Sequence, residues 1–151
     1  MFIQSCAPSL SVTNHIHAAF YTLAMANPPM MILIVGPYRT GTGDDSQLML
    51  QNLRRMEACA LPLFRAGHIP VIGEWLGLPL MRDAGSKQPG DRVYNEILTP
   101  LTERILRRCD AVLRIPGISA GADELVEFAR SSGLKIFFGL EQVLGNQPQH
   151  G

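Results

Sequence analysis

Four short apolar segments constrain the fold of this chain more than any other feature of its sequence. Each is rich in Ile and Val and lacks a strict alternation of apolar and polar residues, which is typical of strands covered on both faces. The predicted strands are MILIV at 31–35, IPVIG at 69–73, AVLRI at 111–115 and KIFFG at 135–139.

Helical patterns separate these strands. Between 46 and 66, apolar residues recur every three or four positions, as on the buried face of an amphipathic helix. Asp44 and Asp45 stand where an N-cap belongs, and Gly67 follows the predicted end. Residues 121–132 form a further predicted helix.

The stretch between the second and third strands is less regular. A helix or a helix pair is predicted over 92–108, with Thr99 capping a second segment that starts at Pro100. Residues 74–91 are rich in Gly and Pro, which favours a long loop of the kind that often serves as a lid or a binding loop.

Strands that alternate with helices through short loops indicate right-handed crossovers and a parallel sheet. The predicted fold is therefore α/β: a single small doubly wound domain, Rossmann- or flavodoxin-like, with a parallel sheet of four to five strands. A length of 151 residues fits one such domain. We assign 30–145 to this domain, 1–29 to an N-terminal extension and 146–151 to a tail.

Charge and cysteine usage argue against several classes of protein. The formal net charge is zero, so no basic surface is expected for a nucleic-acid polymer or an anionic membrane. The three cysteines show no CxxC spacing, which favours a reduced, cytoplasmic protein, and the four histidines suggest no metal cluster. Residues 1–29 lack the positively charged N-terminal region of a signal peptide. Their apolar stretch is too short to span a membrane.

The first predicted strand ends in the glycine-rich loop GPYRTGTGDD at 36–45. Ligands bind at the carboxyl ends of parallel strands, and backbone N–H groups before a helix suit anions. Gly36 and Gly41 have the spacing of a P-loop, but Thr-Gly follows where Lys-Ser or Lys-Thr is required, and GxGxxG is absent. Arg39 offers a cation for a phosphate instead, although a tight turn with a solvated Arg39 explains the loop equally well.

A second loop, PGISAGADE at 116–124, follows the third predicted strand. Two such loops at the ends of neighbouring strands are expected to line one pocket. Ser119 and Gly121 stand at the start of the following helix, where Ser119 either binds a phosphate oxygen or simply caps the helix.

Taken together with these two loops, residues 31–139 resemble the nucleoside 2-deoxyribosyltransferase-like superfamily. The resemblance lies in GPYRTG, RAGHIPVI, CDAVLRIPG, SAGADELVEFA and GLKIF, in that order along the chain. The loop pair GxxRxG (Gly36, Arg39, Gly41) and SxG (Ser119, Gly121) is most similar to the branch that hydrolyses 2′-deoxynucleoside 5′-monophosphates. The GPY and GAD motifs also resemble those of related bacterial proteins of unassigned function.

This resemblance implies a protein that binds a nucleoside or nucleoside 5′-monophosphate and hydrolyses or transfers its N-glycosidic bond. A glutamate attacks the anomeric carbon, and an aspartate on the helix before the third strand assists the leaving base. The resemblance implies no metal or redox cofactor, and a homo-oligomer whose neighbours complete each other's sites. The alternatives are a non-catalytic nucleotide-binding module that has lost the carboxylates, and a protein that shares only the fold.

The residues at the implied catalytic positions depart from the family pattern. The position of the nucleophile, four residues after the Gly of the SxG loop, holds Leu125, and that of the aspartate, eight before the Asp of CDAV, holds Thr102. One step along a helix turns a side chain by roughly 100°. The neighbouring carboxylates are therefore not automatic replacements, but a one-residue change in the start of the helix would bring Glu124 into the pocket. We take Glu124, ahead of Glu127, as the candidate nucleophile. Glu103 is the candidate acid, although the stretch TERILRR around it also suits a solvated helix face. Glu124 also suits the first turn of a helix without any catalytic role.

Further side chains are candidates for substrate contacts. Tyr38 either packs against a sugar or base or closes the core. Glu74 and Trp75, which follow the second strand, are placed to hydrogen-bond to and stack on a base, although Trp75 equally suits a gap in a lid. Tyr94 and Asn95 begin the next predicted helix and are candidates for the same cleft.

Overall fold

A four-stranded parallel sheet forms the centre of the protein, as the computed structural model of residues 28–145 shows. Its strand order is β2-β1-β3-β4. The strands are β1 (Met31–Val35), β2 (Ile69–Ile72), β3 (Ala111–Arg114) and β4 (Lys135–Phe137). The predicted α/β class and parallel sheet are confirmed. The predicted tail and nearly all of the predicted N-terminal extension lie outside the described residues.

Helices cover both faces of this sheet. Within the described range they are α1 (Ser46–Arg65), α2 (Gly73–Asp83), α3 (Arg92–Leu106), α4 (Ala120–Ser131) and the short α5 (Leu140–Leu144). One core cluster holds side chains of α1 and α5, and the other holds side chains of α3 and α4. The arrangement is the predicted doubly wound domain.

Strand β1 contributes to both core clusters. Ile32 and Ile34 point into the cluster of α1 and α5, and Leu33 and Val35 point into the cluster of α3 and α4. All four side chains are at most 5% exposed. This two-sided burial is the physical reason why the predicted strands show no alternation of apolar and polar residues.

Helix α1 follows the sequence prediction closely. Asp45 caps it, because its Oδ1 accepts hydrogen bonds from the backbone N–H groups of Gln47 at 2.7 Å and Leu48 at 3.2 Å. Asp44 has a different role and pairs with Arg39. The buried face of α1 is the predicted one: Met49, Leu53, Met56, Ala60 and Leu63.

The predicted loop at 74–91 is wrong over much of its length, because Gly73–Asp83 form α2. The buried face of α2 consists of Gly73, Gly77 and Met81, spaced four residues apart. Two of these three residues are glycines, so the apolar periodicity that normally marks an amphipathic helix is almost absent from the sequence.

Close packing on α3 explains why α2 forms despite Pro79. A Cβ on Gly77 would be in ordinary van der Waals contact with the side chains of Leu98 and Leu101, 3.5 Å away, so α2 packs directly on α3 at this point. A proline inside a helix costs about 3 kcal/mol in isolation. Tertiary burial of this kind regularly outweighs local propensity.

Of the helix or helix pair predicted over 92–108, the structure has the single helix, so the predicted restart at Thr99–Pro100 is wrong. Helix α3 is continuous from Arg92 to Leu106 with Pro100 inside it, and Asp91 is its N-cap. Smaller differences concern the ends of elements: α1 ends one residue earlier than predicted, α4 is shifted by one residue, and β2, β3 and β4 end one or two residues earlier. In the described part of the chain, no helix is both long and apolar enough to cross a membrane.

The loops after β1 and β3 touch at Gly117. This residue has φ +125°, and a Cβ on it would lie 2.6 Å from Cγ of Pro37. The sequence prediction that two glycine loops meet at neighbouring strand ends is therefore reflected in a direct contact between them.

We expect Gly117→Ala to weaken this contact between the loops. Gly133→Ala is a matched control, since Gly133 also has positive φ (73°) but nothing within 4 Å of its Cβ position. The control should cost about 1 kcal/mol of backbone strain. Gly117→Ala should lower the free energy of unfolding by about 1–3 kcal/mol more than the control, through steric overlap and through the greater strain of an alanine at φ +125°. Equal losses in urea denaturation would contradict a tight loop contact.

Candidate functional site

A cavity of about 390 Å³ lies at the carboxyl ends of the strands, next to β1. Strand β1 lies between β2 and β3, so the chain crosses to opposite sides of β1 at this edge of the sheet. Such a switch point leaves a crevice in open α/β sheets. The walls come from the β1–α1 loop, the starts of α2 and α4, and one face of α3.

Most of the predicted site residues lie on the walls of this cavity. They are Gly36, Tyr38, Arg39, Glu74, Glu103, Ser119, Gly121 and Glu124. Tyr94 and Asn95 also contribute to the wall. Two predicted residues do not: Gly41 lies further along its loop, and Trp75 donates its indole N–H to Oε1 of Glu57 at 2.8 Å.

Arg39 is held by an ion pair at the edge of the cavity. Its Nε donates to Oδ1 of Asp44 at 2.6 Å, and its Nη2 donates to Oδ2 at 3.2 Å. The guanidinium also lies directly against the backbone of Gly90. The hydrogen bond from Arg39 lowers the pKa of Asp44. The positive charge that the sequence offers to a phosphate is therefore largely matched by a carboxylate of the same loop.

Ser119 is the N-cap of α4. Its Oγ accepts a hydrogen bond from the backbone N–H of Ala122 at 3.3 Å, and its side chain is buried. The structure thus shows the helix-capping role, one of the two roles that the sequence suggested for Ser119. Gly121 lies on the cavity wall with open space at its Cβ position, so the first turn of α4 faces the cavity.

A buried arginine of β3, which the sequence reasoning missed, holds the second loop in place. Arg114 donates from Nε to Oδ1 of Asp123 at 2.9 Å, from Nη2 to the carbonyl of Gly117 at 2.7 Å, and from Nη1 to the carbonyl of Ile115. The signal was present in AVLRI, where a charged residue ends an otherwise apolar strand. Such a residue requires partners when it is buried.

Three carboxyl groups line the cavity from three different helices: Glu74 on α2, Glu103 on α3 and Glu124 on α4. Glu124 is exposed, whereas Glu74 and Glu103 are half-buried. Burial raises the pKa of Glu74 above its usual range. The phenols of Tyr38 and Tyr94 lie in the same part of the cavity. Burial raises the pKa of both phenols, and the nearby charge of Glu74 raises it further.

The two residues at the positions that the resemblance marks as catalytic, Thr102 and Leu125, also line the cavity, but neither carries a carboxyl group. Thr102 is buried and donates from Oγ1 to the carbonyl of Leu98 at 2.8 Å. Leu125 is half-buried and packs against the core cluster of α3 and α4. Glu127, the weaker nucleophile candidate, pairs with Arg130 at 3.4 Å and is not part of the cavity wall.

No family model matches the chain, and no curated protein matches it. Across residues 28–145, no three His, Cys, Asp or Glu side chains come together as a candidate metal site. The fold and the site thus define a doubly wound α/β protein with a carboxylate-lined cavity at its switch point. The family resemblance stays a prediction.

Asp91 positions the α3 wall of the cavity. Its Oδ1 accepts from the backbone N–H of Tyr94 at 2.8 Å, and its Oδ2 accepts from the backbone N–H of Lys87 at 2.8 Å and from Oγ of Ser86 at 3.0 Å. These bonds, the backbone ones above all, lower the pKa of Asp91 to about 2. The carboxylate therefore fixes both the start of α3 and the loop before it.

We expect Asp91→Asn to reduce the acid sensitivity of the fold. The ordinary pKa of 3.8 falls to about 2 in the native state, so the ionised Asp91 stabilises the protein above about pH 4. This stabilisation is lost as the pH falls toward 2. Urea denaturation should show a lower free energy of unfolding for the variant at neutral pH and a smaller loss on acidification.

Asp83→Asn is the control, because Asp83 is exposed and, within residues 28–145, forms an ion pair only with its neighbour Arg82, at 3.6 Å. It should keep the wild-type dependence on pH. If the two variants respond to acid in the same way, the role assigned to Asp91 is wrong.

Proposed function

We propose that the protein binds a nucleoside or nucleoside 5′-monophosphate in this cavity and hydrolyses or transfers its N-glycosidic bond. One observation carries the proposal: carboxyl groups from separate helices line a single cavity of about 390 Å³ beside two glycine loops. A volume of this order accommodates a small ligand. Paired carboxyl groups in different surroundings are what glycosidic chemistry requires.

Glu124 is the nucleophile in this proposal. It is the fifth residue of α4, near the N-terminus of that helix, and it lines the cavity. Its exposure at the cavity leaves it hydrated and accessible to a substrate. Attack on the anomeric carbon forms a glycosyl ester, while a second carboxyl group protonates the departing base. Water or a second base then resolves the ester.

Incubation with a panel of deoxynucleosides and their 5′-monophosphates should release free base, which chromatography detects. Glu124→Gln should lower the rate by at least about 10³-fold, because the amide is a very poor nucleophile. Glu127→Gln, one helical turn away on the same helix but outside the cavity wall, should leave the rate unchanged. Base release that survives Glu124→Gln would remove the proposed nucleophile.

A second candidate is a nucleotide-binding module without catalysis. The specific observation in its favour is the apolar Leu125 and the buried Thr102 at the two positions where the resemblance implies carboxylates. Calorimetric binding of a nucleoside or its monophosphate to the wild-type chain, with no base release over days, would favour this candidate over the enzyme.

The Arg39–Asp44 pair governs the preference between nucleosides and their monophosphates in this proposal. Asp44→Asn removes the carboxylate that neutralises Arg39 and should improve binding of the 5′-monophosphate relative to the nucleoside by about two- to fivefold. Asp45→Asn removes the same charge from the helix cap without touching Arg39, so it should leave the ratio unchanged. An equal change in both variants would indicate general electrostatics rather than release of Arg39.

A further inference from the structure

We infer that Glu74 is the general acid of the proposed reaction, the group that protonates the leaving base. This inference rests on the proposed function. It assigns a reacting role to a side chain that the sequence offered only for contacts with the base.

The position of Glu74 follows from the packing of α2 on α3. Glu74 lies in the first turn of α2, directly after the buried Gly73. A Cβ on Gly73 would lie 3.1 Å from Oγ1 of Thr102, so the two helices are in close contact at this point. Gly73, Glu74 and Thr102 all line the cavity, and the hydroxyl of Thr102 already donates to Leu98. Glu74 therefore supplies the carboxyl group at this junction.

The surroundings of Glu74 favour a protonated carboxyl group. Among the described residues no cation pairs with Glu74, and the cation of the cavity wall, Arg39, is bound to Asp44. Glu74 is half-buried and lies close enough to the phenols of Tyr38 and Tyr94 to influence their ionisation. Burial without a neighbouring cation raises the pKa of a carboxyl group, and the pKa of Glu74 is raised in this way.

Glu74 and Glu124 thus occupy contrasting surroundings in one cavity. Glu124 is exposed at the start of α4, where a carboxylate is well solvated, and Glu74 is enclosed beside two phenols. Contrasting surroundings of this kind suit one carboxyl group to nucleophilic attack and the other to proton donation. Glu103, on the α3 wall, is the competing candidate for the acid.

The step balances with these two groups. An oxygen of the Glu124 carboxylate bonds to the anomeric carbon, and the N-glycosidic bond breaks with its electron pair passing to the base nitrogen. The proton of the Glu74 carboxyl group moves to the base, which leaves neutral. In hydrolysis, water then gives a proton to the Glu74 carboxylate and its hydroxyl to the anomeric carbon, which releases Glu124.

Several groups bear on the titration of Glu74, and the experiment must separate them. The charged and titratable side chains that share the cavity wall are Tyr38, Arg39, Tyr94, Glu103 and Glu124. Two substrates, one whose leaving group needs a proton and one whose leaving group does not, distinguish a general acid from groups with other roles. A 2′-deoxynucleoside requires protonation of its base, whereas 4-nitrophenyl 2-deoxyribofuranoside carries a leaving group that departs without a proton.

For the wild-type protein, kcat/KM with the deoxynucleoside should fall as the pH rises and the acid ionises, whereas the aryl substrate should not show this fall. Glu74→Gln should lower kcat/KM for the deoxynucleoside by about 10²- to 10⁴-fold and abolish the fall with pH. The same variant should change kcat/KM for the aryl substrate less than about tenfold. Glu96→Gln, which removes a surface carboxylate of α3 paired with Arg92 at 3.3 Å, should behave as wild type on both substrates.

Glu103→Gln provides the decisive comparison. If this variant, and not Glu74→Gln, loses the deoxynucleoside selectively, the assignment of the acid to Glu74 is overturned. Glu74→Asp keeps a carboxyl group and should keep the fall with pH, which tests the inference even if Glu74→Gln does not fold. Base release that is unchanged in Glu74→Gln would overturn this inference alone. No base release by the wild-type protein would overturn the proposed function, and the inference with it.

Discussion

Parallel pairing of β1 with strands on both of its sides is the interaction on which the site depends. Ile34 is in register with Ile72 of β2 and with Leu113 of β3, so the three strands end at the same edge of the sheet. The segments that follow these strands line the cavity: the β1–α1 loop, the start of α2, and the start of α4 with its cap Ser119. Since β1 is buried on both faces, a one-residue slip in register would move each of its side chains into the opposite core cluster and would separate these walls.

Charge is distributed unevenly around the cavity. Arg39 and Asp44 neutralise each other at its edge, while Arg114 is buried below the second loop and bound to Asp123. The carboxyl groups that face the cavity have no comparable cation among the described residues. Enclosure of Glu74 and exposure of Glu124 then set two carboxyl groups of one cavity apart, which is the physical basis of the proposed chemistry.

The sequence predicted well wherever one local signal determined the structure. The four strands, α1 with its Asp45 cap, and the meeting of two glycine loops follow from apolar runs, helical spacing and capping. It predicted poorly where a contact replaced the local signal. Helix α2 buries two glycines against α3, and α3 continues through Pro100, so the residues that usually interrupt helices lie inside packed ones. The pairing of Arg39 with Asp44, a residue with positive φ (65°), was likewise not predicted from the sequence.

The sequence by itself determined the parallel α/β architecture and the loops at the carboxyl ends of the strands. The reason is that the spacing of apolar residues along the chain indicates both two-sided burial and helical periodicity. The tertiary structure decided which polar side chains share a cavity and how each is solvated. Glu74, Glu103 and Glu124 lie far apart in the chain and meet only through the packing of α2, α3 and α4. The pKa of Glu74 is raised by burial, which is a property of the assembled fold and not of residue order.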